Sequence, residues 1–348
     1  MRTPLIRLAG FTALPLAIAL AGPPTARAAD HDDTPALKTA SRHEARITDL
    51  HVFTRTRPGP GRRSHPRHSL VLALSTNPMI VPTTATYVFP SDLTLEVLID
   101  HHSRVDFGVD PAATAIFGGT IIDPARIAAD VRFTITFDAS GTPRLRTAGL
   151  DDDVPITLFA GLRDDPFIRG PRQGRNVASI VIEVPLQTVT RGRHTTLLAW
   201  GTSSVPGMQG PIGDLGGRAL RSQFVENLAL NDHPNPGEHF SVLGWRPDVV
   251  IFDIARRAAF PNGRDLTDDV VDLVGDPRIL MTDCPVPGDP VTCSPSTNDR
   301  PFLATFPYLA LPQAAAAGNA GVVLHFGGDR DRDDDDDRNH DDDRDHDE

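Results

Sequence analysis

Alternation of apolar and polar residues predicts β-strands in both halves of this chain. Residues 131–137 (VRFTITF) alternate strictly, and residues 93–99 (LTLEVLI) alternate with one exception, which is the period of two of a strand with one buried face. A turn sequence follows the first segment, so residues 143–146 are expected to return beside it. Residues 70–74 and 177–184 are nearly all apolar, which is typical of strands buried on both faces.

Helical periodicity is weaker. Residues 266–274 carry apolar side chains at helical spacing, with Asp265 placed to cap the amino end. Residues 218–230 are a weaker helix candidate, and residues 194–200 are a further candidate strand. The whole chain contains 32 prolines and 28 glycines, and many of them divide the remaining sequence into short elements and loops. We therefore predict a mainly β fold with a few short helices (β-rich α+β), in a single compact domain with long Pro/Gly-rich loops.

The two ends of the chain differ in composition from the part between them. Residues 1–28 have a basic start, an apolar run and small residues at the positions that a signal peptidase reads, which predicts a secretory signal peptide. Residues 327–348 contain 13 acidic residues and four arginines, which predicts a disordered Asp-rich tail. The β-rich domain is assigned to residues 29–326. Within it, residues 55–68 are basic and Pro/Gly-rich, and we expect a mobile loop there.

Charge and hydropathy exclude two classes of partner. The formal net charge is −12, and phosphate binding needs clustered cations in a favourable field, so nucleic acid is not an expected partner. After the signal peptide no apolar run reaches the ~18 residues of a membrane helix. We therefore expect an exported chain, periplasmic or extracellular, without an integral membrane segment.

The two cysteines, Cys284 and Cys293, lie in a Pro-rich stretch, DCPVPGDPVTC. In an oxidising compartment an isolated pair this close predicts a structural disulfide. A redox or metal-binding pair is the alternative, but such pairs favour a two-residue spacing. Closing the loop would contribute roughly 2.5–3 kcal/mol in the chain-entropy model.

The common catalytic signatures are absent. The sequence has no G-x-S-x-G, no H-E-x-x-H, no G-x-x-x-x-G-K and no G-x-G-x-x-G. This disfavours standard serine hydrolases, zinc proteases and nucleotide-binding enzymes. Whether the protein is an enzyme stays open.

Acidic clusters supply the candidate metal ligands. We expect His31 and Asp33, near the mature amino terminus, to fold against Asp49 and the pair Asp164 and Asp165. Adjacent carboxylates can hold a hard divalent cation such as calcium, which takes six to eight oxygen ligands. The structural alternative is that these aspartates cap turns through their own backbone.

Two other polar groups have similar alternatives. Four aspartates, Asp265, Asp268, Asp269 and Asp272, belong to the predicted helix, where the dipole favours negative charge at the amino end. His233, Glu238 and His239 lie in a proline-bounded loop and can supply zinc ligands, or can be ordinary polar loop residues. Nothing in their spacing fixes a geometry.

Several of these stretches also carry a resemblance. The chain resembles the bacterial secreted family catalogued as domain of unknown function 4331, for which no reaction is settled. The resemblance implies one family unit from about Asp30 to Pro312. Gln313 stands where the resemblance leads us to expect a histidine, which puts a shared metal site in doubt. The stretches that carry the resemblance are DHDDTP (30–35), ITDLHVF (47–53), GLRDDPF (161–167), NVASIVIEVP (176–185), RPD (246–248), PNGRDLTDDVVD (261–272) and FPYL (306–309).

These observations lead to two functional hypotheses. The first is a non-catalytic binding or structural domain that binds a cation, a cell-wall component or another protein. The second is a metal-dependent hydrolase that uses the clustered Asp and His residues. An enzyme requires the aspartates to converge in one concave site, whereas a structural protein can leave them scattered.

Overall fold

The computed structural model describes residues 34–57, 67–84, 86–166, 174–207, 213–221, 225–270, 273, 297–313 and 321–327. His31, Asp33, Cys284 and Cys293 lie outside the described residues, as do the signal peptide and nearly all of the acidic tail. The disulfide and the roles of both ends therefore stay predictions.

The chain is built mainly of antiparallel strands, as predicted. Among the described residues, four short α-helices have defined bounds: α1 (Pro35–Thr39), α2 (Pro111–Phe117), α3 (Leu186–Val189) and α4 (Pro236–Leu243). The strands are β1 (Ile47–Arg57), β2 (Arg67–Thr76), β3 (Thr94–Asp100), β4 (Val105–Asp106), β5 (Thr120–Ile121), β6 (Val131–Phe137), β7 (Pro143–Ala148), β8 (Ile156–Asp164), β9 (Asn176–Pro185), β10 (Thr196–Ser204), β11 (Asp214–Gly216), β12 (Val250–Asp253) and β13 (Val322–Phe326). This confirms the β-rich α+β class.

Two sheets contain most of these strands. The first has the order β1-β2-β9-β8-β13, and the second has the order β11-β10-β3-β6-β7, with β12 also paired to β10. The alternating segments predicted from the sequence became β3, β6 and β7, and the two apolar runs became β2 and β9 in the middle of the first sheet.

The sheets face each other across the main apolar core. Gly201 of β10 approaches β2 so closely that a Cβ at this position would lie 2.7 Å from Leu74 Cδ1. Phe133, Ile135 and Leu72 are fully buried in the same cluster. Because two packed sheets bury alternate side chains between them, the period-two pattern identified the inward residues correctly.

The outer faces of both sheets are also covered. Behind the second sheet, Leu98 packs with Trp200 and Ile251 in a second apolar cluster; this explains why Leu98 interrupts the alternation. Behind the first sheet, Arg264 contacts Asp49 with 2.8 Å between Nη2 and Oδ1, and both side chains are buried. The interior strands β2 of the first sheet and β3 of the second sheet therefore carry buried apolar residues on both of their faces.

Three local predictions differ from the structure. Leu266 and Thr267 form a turn, and Val270 is the first helical residue there, because Asp268 Oδ2 accepts hydrogen bonds from two backbone N–H groups and closes a turn. The candidate helix over 218–230 is a turn followed by a 3-10 helix at Val225–Leu230. The basic insertion is shorter than predicted, since β1 and β2 continue to the pair Arg57 and Arg67.

Within the described part of the chain, no helix combines the length and the apolar character needed to cross a membrane.

Candidate metal centre

Three neighbouring strands of the second sheet bring polar residues to one edge. His101 and His102 directly follow β3, His194 precedes β10 by one residue, and Asp130 directly precedes β6. β3 is antiparallel to both neighbours, with Asp100 opposite Leu198 and Ile99 opposite Val131. The end of β3 and the beginnings of β10 and β6 must therefore meet at the same edge.

Asp100 fixes the turn that carries the histidine pair. Its carboxylate accepts hydrogen bonds from His102 N at 2.7 Å, Ser103 N at 2.8 Å, Ser103 Oγ at 2.6 Å and Ala128 N at 3.1 Å. Asp100 itself is buried. A buried carboxylate with four donors holds a single backbone conformation, so His101 and His102 project from a rigid turn.

His194 is held by the tight connection between α3 and β10. Arg191 and Gly192 both adopt positive φ, 50° and 65°. The carbonyl of Thr190 accepts from Arg193 N at 3.2 Å and from His194 N at 3.1 Å. These contacts turn the chain back, so that His194 faces the end of β3.

The three imidazoles form a cluster with the spacing of metal ligands. The ring of His101 lies 4.5 Å from that of His102 and 4.6 Å from that of His194, between centroids. One nitrogen from each ring lies within 4.8 Å of the other two. His101 is fully buried, and neither its ring nitrogens nor His194 Nε2 has a hydrogen-bond partner among the described residues. Buried polar atoms without partners require an explanation, and at three converging imidazoles a bound metal ion provides one.

Asp130 lies beside the cluster as a supporting carboxylate. His102 Nδ1 donates to Asp130 Oδ1 at 2.5 Å, and the backbone N–H of His101 donates to Oδ2 at 2.8 Å. Asp130 Oδ2 is 3.7 Å from His101 Nε2. A histidine that donates one N–H to a carboxylate presents its other nitrogen to a metal in the correct tautomer, as in many metal proteins.

The electrostatics of the cluster favour neutral imidazoles. Burial lowers the pKa of His101, and the positive charges of its histidine neighbours and Arg191 lower it further. Burial is also the first cause of the lowered pKa of His194, followed by His102 and Arg193. A metal ion binds the unprotonated ring, so these shifts keep both ligands in the binding form at neutral pH.

The donor set points to a transition metal. Zinc binds imidazole nitrogen at about 2.0–2.1 Å, and three protein ligands leave a fourth position open. Calcium takes oxygen ligands instead. With these bond lengths tetrahedral ligands lie about 3.3 Å apart, so the three nitrogens, which lie within 4.8 Å of one another, would have to move closer together to bind one ion.

Of the predicted calcium ligands, Asp49, Asp164 and Asp165 lie within the described residues, and Asp49 lies far from Asp164. In the strand register Asp49 lies opposite Ser75, Ser75 opposite Ser179, and Ser179 opposite Gly161. Asp49 is therefore three strand spacings, about 14 Å, from β8. Asp164 lies three residues beyond Gly161, on the opposite face of the sheet. One ion cannot bind both, because calcium bonds are about 2.3–2.6 Å long.

Asp164 is buried among amide groups. Its Oδ2 accepts from Asn298 Nδ2 at 2.7 Å, and its Oδ1 accepts from Gln313 Nε2 at 2.6 Å. Burial, with the neighbouring charge of Asp299, raises the pKa of Asp164 to about 8. Asp165 is buried beside it, and its backbone N–H donates to Arg175 O at 3.1 Å. Gln313, which stands where the resemblance led us to expect a histidine, is thus a hydrogen-bond donor to the carboxylate of Asp164.

The other zinc candidate is a structural histidine. His239 is buried, its Nδ1 accepts from Asp248 N at 3.1 Å, and its Nε2 lies 3.2 Å from His233 O. Both nitrogens are engaged with backbone groups, which supports the structural alternative for this loop.

Sequence reasoning did not select His101, His102, His194 or Asp130. The available signal was a histidine doublet directly after a predicted strand, together with a histidine at the start of another. Local sequence spacing could not predict that these histidines lie close together, since the doublet and His194 are separated by more than ninety residues.

Comparison with known proteins adds no further assignment. No protein-family model, no curated protein and no solved structure matches this chain. The resemblance to the family of unknown function therefore rests on the sequence stretches alone, and the candidate function rests on the histidine cluster.

Proposed function

We propose that this protein binds a divalent transition metal ion such as zinc through His101, His102 and His194. The observation that carries the proposal is the buried ring of His101. Its two nitrogens lack hydrogen-bond partners in the described structure, and one nitrogen from each of two further imidazoles lies within 4.8 Å. The proposal keeps the first sequence hypothesis, a cation-binding domain, and changes the expected ion from calcium to a metal that prefers nitrogen ligands.

The centre is preorganised, which supports tight and selective binding. Asp100 fixes the turn of the histidine doublet, and Asp130 orients His102. Ligands held by neighbouring strands lose little chain entropy on binding, whereas the flexible tail predicted for residues 327–348 would bind ions loosely. We further propose that the signal peptide exports the chain, so that the centre acts in the periplasm or outside the cell.

A metal-dependent hydrolase remains the second candidate. Three protein ligands leave a coordination position for water, whose pKa a zinc ion lowers to about 7. Zinc-dependent hydrolysis of p-nitrophenyl acetate or phosphate that is lost in His194→Ala would select this candidate over a binding protein.

Metal titration of the full chain tests the proposal. The purified protein is stripped with a chelator and titrated with zinc in the presence of a competing chromophoric chelator. We expect one tightly held equivalent per chain and a zinc-dependent rise in melting temperature, since binding stabilises the folded state by about 2.7 kcal/mol at 100 times Kd.

Matched histidine variants assign the site. His101→Ala and His194→Ala should lose the tight equivalent, and His325→Ala, on the exposed edge strand β13, should keep it. If wild-type and both cluster variants bind zinc equally, the ion is held elsewhere and the proposal is wrong.

A further inference from the structure

A cleft lies beside the candidate metal centre. It has a volume of about 830 Å³ and lies where β1 and β9 end and where β2 and β10 begin, with α3 at its side. His194 lines this cleft and also stacks on His101 in the histidine cluster, with 4.6 Å between ring centroids. One side chain therefore belongs to both the metal centre and the cleft.

The cleft wall is strongly basic for a chain of net charge −12. Arg57, Arg67 and Arg193 line it, and Glu183 is the carboxylate that faces them. Glu183 is already engaged by Arg57 and by Tyr308, whose hydroxyl donates to Glu183 Oε2 at 3.1 Å.

Two of these arginines are available to a ligand. Across the described ranges, Arg67 and Arg193 form no ion pair with a carboxylate, and both are exposed. Guanidinium groups bind phosphate and carboxylate through paired N–H donors, and the binding is stronger inside a cleft that limits access of water.

Positive side chains next to a metal centre need a compensating anion. Arg193 directly precedes His194 in the chain and Arg191 lies three residues before it, so the chain carries two positive charges beside this ligand, and they repel further positive charge. A divalent cation on the cluster would meet the same repulsion. An anion that bridges the metal and a guanidinium converts this repulsion into attraction on both sides.

We propose that the cleft binds a small oxyanion, a phosphate or carboxylate group, which takes the open position on the metal ion while the guanidinium groups of Arg193 and Arg67 bind its free oxygen atoms. The proposal rests on the proposed function, because it requires an ion on the histidine cluster. It adds the chemical class of ligand that the centre accepts.

Cobalt substitution tests the two proposals separately. The full chain is stripped and reconstituted with one equivalent of Co²⁺, whose visible absorption reports its ligands. Bands of an imidazole-bound cobalt ion that are absent in His101→Ala establish the metal centre before any anion is added. Inorganic phosphate and acetate are then titrated in separate experiments, and the band change gives each apparent Kd.

We expect saturable band changes with at least one of the two anions. The anion with the lower apparent Kd shows whether the site prefers a phosphate or a carboxylate group. Arg193→Gln and Arg67→Gln should each raise the apparent Kd of that anion about tenfold, as expected for loss of a charged hydrogen bond. Arg144→Gln, an exposed arginine on the edge strand β7, should bind as the wild-type does.

Two results would overturn the inference. Cobalt bands that neither anion changes leave the metal centre intact and remove the anion site. Equal anion affinity in the wild-type, Arg67→Gln and Arg193→Gln removes the cleft from the binding site. If cobalt does not bind to the histidines, both proposals fail together, and that failure is visible before the anion titrations.

Discussion

Replacement of Asp164 by asparagine should stabilise this protein at alkaline pH. Asp164 is a buried carboxyl group at the end of β8, it accepts hydrogen bonds from Asn298 and Gln313, and burial raises its pKa from 3.8 to about 8. Asparagine has nearly the same shape and cannot ionise. The substitution therefore removes the titration. The amide NH2 group that replaces one accepting oxygen faces an N–H donor, and this cost does not change with pH.

The magnitude follows from linkage between protonation and folding. Between pH 4 and 8 the unfolded chain has Asp164 ionised and the folded chain has it protonated, so stability is highest at low pH and falls as the pH rises through this window. Each pH unit costs up to about 1.4 kcal/mol. From pH 5 to pH 8 the wild-type should lose up to about 4 kcal/mol relative to Asp164→Asn.

Urea unfolding at pH 5, 6, 7 and 8 measures this difference. Subtracting the variant from the wild-type at each pH cancels the contributions of the buried histidines, which titrate in the same range. Asp138→Asn is a pH-independent control in this series, because hydrogen bonds from Ser140 and Thr142 lower the pKa of Asp138, so that this carboxyl group is ionised in both the folded and the unfolded chain from pH 5 to 8. The free-energy difference between that variant and the wild-type should therefore stay constant across the series.

The reasoning is refuted if the free-energy difference between wild-type and Asp164→Asn is independent of pH from 5 to 8. If Asp164 bound calcium, the opposite result would be expected. At pH 8 with calcium present, Asp164→Asn would be less stable than the wild-type, and a chelator would destabilise the wild-type alone. The same pH series with calcium and with chelator separates the two accounts.

Two further substitutions test the fold. Arg264→Met removes the guanidinium group that pairs with the buried Asp49 at 2.8 Å, and we expect the free energy of unfolding in urea to fall by about 3–5 kcal/mol. The double variant Asp49→Leu/Arg264→Met should recover most of this loss. Equal losses in the single and the double variant would contradict the ion-pair argument. Asp110→Ala removes the acceptor of the Ala113 N–H at 2.9 Å at the start of α2, and it should lower the free energy of unfolding by about 1 kcal/mol, while an unchanged midpoint would show that this cap contributes nothing.

The strands were predictable because their signal is local. Residues 131–137 alternate on the sequence and alternate in burial within β6, and the turn that follows them places β7 as predicted. The predicted helix at residues 266–274 was less secure, because four apolar positions over nine residues can also pack a turn. Leu266 and Val270 are indeed buried, but Asp268 closes a turn before the helix begins.

The candidate site was not predictable from local spacing. His194 meets His101 because β10 pairs antiparallel with β3, and Asp130 meets His102 because β6 pairs with the other side of β3. Register across three strands decides these neighbours, and a single sequence does not state register. The convergence of Asp164 with Gln313 has the same origin, since Asp164 N donates to Ala310 O and brings the carboxyl-terminal segment to the end of β8.

The way in which buried carboxylates are stabilised explains why the acidic clusters in the sequence are poor indicators of a metal site. A carboxylate can enter the interior only with a counter-charge, several donors or a proton, and the described residues show all three solutions: Arg264 for Asp49, backbone donors for Asp100, and a raised pKa for Asp164. None of these three solutions requires a bound ion. Imidazole differs, because its neutral form can be buried with a nitrogen left free for a ligand. In a buried setting the informative residues are therefore the histidines whose nitrogens have no partner, and at His101 and His194 they point to the same position.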